Sequence, residues 1–82
     1  MKEVVGYIFF DKEREWESYF SSNPIWADDT DEWYLGGEVR TLEDVFTILG
    51  SHGFDDEYIS NFIELDIPHE YYIDLKMQSG AV

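Results

Sequence analysis

The chain has 82 residues, 19 Asp or Glu against 5 Lys or Arg, and a formal charge of −14. That leaves room for one small domain and excludes one that holds nucleic acid or an anionic membrane through its own bases. Six Phe, six Tyr and three Trp set it apart from acidic disordered chains, because their burial offsets the entropy of ordering. The absence of cysteine removes both a disulfide framework and a thiolate metal site.

In chain order, Val4 to Phe10 is rich in β-branched and aromatic residues and apolar on both faces, which predicts a buried central strand. This run is too short for a signal peptide or a membrane span and meets Asp11-Lys12-Glu13-Arg14 at once, so cytoplasmic residence is the expectation. Asp11 can cap a helix in which Trp16, Tyr19 and Phe20 fall at i, i+3 and i+4 opposite Glu13 and Glu17, ended by Asn23-Pro24. An acidic loop, Asp28-Asp29-Thr30-Asp31-Glu32, leads to a short strand at Trp33-Tyr34-Leu35 closed by Gly36-Gly37.

Thr41 and Asp44 approximate a capping box for a helix with Leu42, Val45, Phe46 and Leu49 on one face, stopped by Gly50 and Gly53. Asp55 or Asp56 caps the next helix, which carries Tyr58, Ile59, Phe62 and Ile63 and ends at the Pro68 signal. Tyr71, Ile73, Leu75 and Met77 alternate with Tyr72, Asp74 and Lys76, the pattern of a half-buried strand, and residues 80–82 read as a frayed end. The expected architecture is a single acidic α+β domain over residues 1–82, a two- or three-stranded antiparallel sheet with about three helices packed on one face.

Chemical signatures are weak. An EF-hand begun at Asp31 puts Gly36 at the sixth position but Trp33 and Leu35 where oxygen ligands belong. His52 near Asp55 and Asp56, and His69 beside Glu70, read as exposed histidines in an acidic chain rather than metal ligands. No serine lies in a Gly-x-Ser-x-Gly setting, no carboxylate pair stands out, and so small a domain offers little room for a deep substrate pocket. The expectation is a protein without catalytic residues, cofactor or metal. Among the aromatics, Trp16, Phe46 and Phe62 sit on predicted core faces. Trp26, Trp33 and Tyr34 flank the acidic loop, where such residues can act as interface anchors.

The acids carry the functional expectation. Between Glu15 and Leu75 sixteen Asp or Glu face a single base, Arg40. A net charge of about 2 to 8 in magnitude suffices for the solubility of a small domain, and the self-repulsion of a larger charge lowers stability. Duplex DNA presents a phosphate about every 3.4 Å per strand, and carboxylates on a rigid scaffold can imitate that array. The candidate partner-binding residues are Asp28, Asp29, Asp31, Glu32, Trp33, Tyr34, Asp55, Asp56, Glu57, Glu64, Asp66 and Glu70.

In composition the chain resembles the small, acidic, cysteine-free nucleic-acid mimics of phages and mobile elements: anti-CRISPR proteins, antirestriction proteins and inhibitors of DNA repair enzymes. The resemblance implies a protein that occupies the basic nucleic-acid channel of a defence nuclease or effector complex and blocks DNA or RNA, without itself binding nucleic acid or membrane. The same electrostatics would serve an immunity or antitoxin protein that neutralises a basic nuclease. A third expectation is an acidic accessory protein whose charge is only a solvated face.

Overall fold

A computed structural model describes residues 3–13, 17–24 and 33–79. Three antiparallel strands, β1 (Gly6–Asp11), β2 (Ser18–Ser21) and β3 (Trp33–Val39), precede three helices, α1 (Leu42–Ser51), α2 (Asp56–Leu65) and α3 (His69–Ser79). The sheet order is β2-β1-β3, so the apolar N-terminal segment is the central strand, as its composition requires.

Alternation along β1 sends Ile8 and Phe10 to the helix-bearing face, where both are fully buried with Val39, Val45, Leu49, Ile59, Phe62, Ile67 and Leu75. Phe9 is also buried but lies outside that core, on the other face of the sheet. The strand at Trp33 does not close at the glycines but continues through them to Val39. Ile8 pairs with Gly37 and Phe9 with Leu35, so Gly36 is the extra residue of a β-bulge. A Cβ on Gly36 would run into the Phe10 ring, and one on Gly37 would meet Ile48 Cδ1 at 2.7 Å. The paired glycines therefore let α1 and a core phenylalanine approach the β3 backbone closely.

Two expected elements have the other secondary structure. The helix capped by Asp11 is instead the β1–β2 hairpin: Asp11 Oδ1 accepts from Glu13 N at 2.8 Å, Asp11 N donates to Glu17 O at 3.3 Å, and Phe9 pairs with Tyr19. The i, i+1 pair Tyr19 and Phe20 points to opposite faces. Tyr19 is exposed, and Phe20 covers Gly6 and stacks on Tyr71 at 5.7 Å. Tyr and Phe suit a pleated strand, and pairing with the buried β1 overrides a three-residue helical coincidence. Trp16 lies outside the described residues.

The segment 71–77 is the converse case, part of helix α3 rather than a strand. Pro68 O accepts from both Tyr71 N and Tyr72 N at 3.0 Å, so Pro68 opens this helix. Tyr71, Tyr72 and Leu75 face the core at helical spacing, whereas Ile73 and Met77 of the alternating set are exposed.

The other two helices start where the sequence signals them. Thr41 Oγ1 accepts from Asp44 N at 3.3 Å while Asp44 Oδ2 accepts from Thr41 N at 3.2 Å, a complete capping box. Gly50 lies inside α1, and the left-handed stop is Gly53, with φ of 90°. Phe46 is 39% exposed and is not core, because the buried stripe of α1 runs through Val45 and Leu49. Among the described residues, no helix is long and apolar enough to cross a membrane.

Candidate functional site

The first acidic group is built by the start of α2. Asp55 is the N-cap, its Oδ1 accepting from Tyr58 N at 2.8 Å, and Asp56 and Glu57 occupy the first turn. Negative charge at a helix N-terminus is favoured by the macrodipole and by unsatisfied N–H groups, so these three acids help to start the helix as well as charging its surface.

A second group stands where α2 hands over to α3. Glu64 is on the last turn of α2, Asp66 is its C-cap, and Glu70 is on the first turn of α3. Here the dipole of α2 opposes the charge, and its last turn holds no base. Partial desolvation by its surroundings raises the Asp66 carboxyl above the ordinary aspartate value, although the residue as a whole is exposed. The ten residues of α2 separate the two groups by about 15 Å along the helix axis.

Asp55, Asp56, Glu57, Glu64, Asp66 and Glu70 are all exposed. None of the six is in an ion pair among the described residues, where Arg40 instead meets Glu38 at 3.3 Å. Asp28, Asp29, Asp31 and Glu32, together with Trp26, lie outside the described residues.

The two aromatic candidates part company. Trp33 packs edge-on against Tyr19 at 4.6 Å. Tyr34, 37% exposed, lies toward the α1–α2 turn: its ring is 5.7 Å from Phe10 and 6.3 Å from His52, and Phe10 in turn faces Phe54 at 6.3 Å. Phe54 stacks on Tyr58 at 4.3 Å, and Tyr58 Oη lies 3.0 Å from Ser18 Oγ. An aromatic run thus connects Tyr34 to the helix start that presents Asp55, Asp56 and Glu57.

Both histidines lie against aromatic rings. His52 stacks on Phe10 at 3.8 Å with Nδ1 3.0 Å from Ile48 O, and His69 faces Tyr72 at 6.2 Å. Among the described residues no three His, Asp or Glu gather to hold a metal ion.

One feature escapes a reading of the sequence. A groove of about 480 Å³ opens between the start of α1, the end of α2 and the start of α3, lined by Leu42, Ser60, Ile63, Glu64, Ile67, His69 and Tyr72. The available signal was Ile67, an apolar residue between Asp66 and Pro68 in the connection, with Tyr72 one helical turn before Leu75. Reading 71–77 as a strand hides it. No protein-family model, curated protein or solved structure matches the chain.

Proposed function

We propose that this protein is an acidic inhibitor that imitates nucleic acid, binding the basic channel of a defence nuclease or another nucleic-acid enzyme and keeping DNA or RNA out. The observation that carries the reading is the pair of exposed carboxylate groups at the two ends of α2, free of ion pairs among the described residues and held on rigid helices. Charge held on a scaffold loses little entropy on binding and complements a channel lined with Lys and Arg. The chain-wide charge of −14 adds long-range attraction that speeds encounter and weakens with salt.

The test is affinity capture from a bacterial lysate at low and moderate salt, with duplex DNA and RNA as competitors. Recovery of a basic nucleic-acid enzyme that either competitor displaces is the expected result. The combined reversal Asp56→Lys, Glu57→Lys, Glu64→Lys and Asp66→Lys should abolish that capture while far-ultraviolet circular dichroism stays unchanged. Capture that ignores both salt and the reversal would sink the proposal.

A further inference from the structure

Charge accounts for attraction but gives little discrimination among basic partners, and specificity in an interface comes mainly from buried anchors. The groove between α2 and α3 has the form of a receptor for one. Leu42, Ile63, Ile67 and Tyr72 make an apolar floor, and about 480 Å³ lies within the volume range of small-ligand pockets, ample for an inserted side chain.

Its border is acidic. Glu64 is the carboxylate among the lining residues, and exposed Asp66 and Glu70 adjoin the lining residues Ile67 and His69 in sequence, at the α2–α3 handover. Neither Lys nor Arg lines the groove; Lys76, one turn past Tyr72, is the α3 base. This arrangement selects its occupant by charge. A second copy of the chain would bring another −14 against the carboxylates, and nucleic acid would bring phosphates. A segment with an apolar side chain flanked by arginine or lysine satisfies floor and border together, its cationic stems lying over apolar surface while their heads reach the acids.

We propose that this groove seats an apolar anchor side chain of the basic partner, with flanking Arg or Lys on Glu64, Asp66 and Glu70. The assignment rests on the acidic-inhibitor reading above and adds the site that gives it specificity.

The test titrates the full-length isotope-labelled chain with two synthetic helical peptides carrying equal numbers of arginines. One presents Leu and Phe on a single face; the other has Gln in their place. The Leu/Phe peptide should bind about tenfold more tightly at physiological salt, with the largest methyl shifts at Ile63, Ile67 and Leu42. Ser60→Trp, a substitution at an exposed rim position that fills the groove, should abolish the difference between the peptides while the thermal melt is retained. Equal binding of both peptides to the native chain, with shifts spread along the acidic surface, would overturn the groove and leave the electrostatic reading standing. Binding of neither peptide would overturn both. Sedimentation showing that the unliganded chain dimerises through this face would assign the groove to a second copy and overturn the proposal.

Discussion

A single glutamine at the end of α3 holds two separate parts of the backbone. Gln78 Oε1 accepts from Glu3 N at 3.0 Å, and its Nε2 donates to Glu3 O at 3.1 Å and to Arg40 O. Beside it, Ser79 Oγ accepts from Leu42 N at 2.6 Å and donates to Leu75 O at 2.7 Å. The N-terminal segment, the β3–α1 junction and α3 are thus fastened at one corner. Gln78→Ala should lower stability by about 0.5 to 1.5 kcal/mol, the net range for a typical hydrogen bond, because the Glu3 groups are exposed and water replaces the lost partner there, read in urea as a lower midpoint at unchanged slope. Asp66 behaves in the opposite sense. Its folded-state pKa is raised by partial desolvation, so ionisation opposes folding at neutral pH, and that opposition is relieved as pH falls through the raised value. Asp66→Asn should therefore stabilise the protein at pH 7, with the difference from the native chain shrinking toward acid, as measured by urea melts across pH. Neither effect is legible in the sequence, because each depends on which distant backbone or apolar surface a side chain meets.

Among the elements, α1 and α2 follow from local signals. Thr41 with Asp44, and Asp55 with its N3 amide, satisfy orphan helix donors using residues only three apart. The reversal of β2 and α3 has a common cause: segments of four to eleven residues with mixed aromatic and polar composition fit both periods. Phe20 and Tyr71 illustrate it, since each belongs to an ambiguous segment and the two stack on each other in the fold. Substitution separates the alternatives for α3. As a strand, Ile73 and Leu75 would share one buried face; in the helix Ile73 is 43% exposed and Leu75 0%. Ile73→Lys should stay within about 0.5 kcal/mol of the native stability, whereas Leu75→Ala should cost about 2 to 5 kcal/mol. Comparable losses at both positions, measured by urea unfolding, would contradict the helix.

For the whole molecule, a formal charge of −14 means that the folded state gathers repulsion which the more expanded unfolded chain relieves. Sodium chloride should raise the urea midpoint and the thermal melting temperature progressively as screening shortens the range of that repulsion. A melting temperature indifferent to salt would show that the exposed carboxylates scarcely oppose folding. The α+β class, the central strand, the starts of α1 and α2 and the excess of acid can all be read along the chain, because composition, caps and a fully apolar strand are local properties that need no partner. The acids at the ends of α2 can be located in the same way, since those positions lie on an element with clear signals. Long-range packing is what puts residues 18–21 in the sheet, makes 69–79 a helix, turns Tyr34 rather than Trp33 toward the acidic helix start, and opens a groove between α2 and α3. Those outcomes depend on which remote apolar surface each ambiguous segment can cover, and no spacing within a segment records that surface.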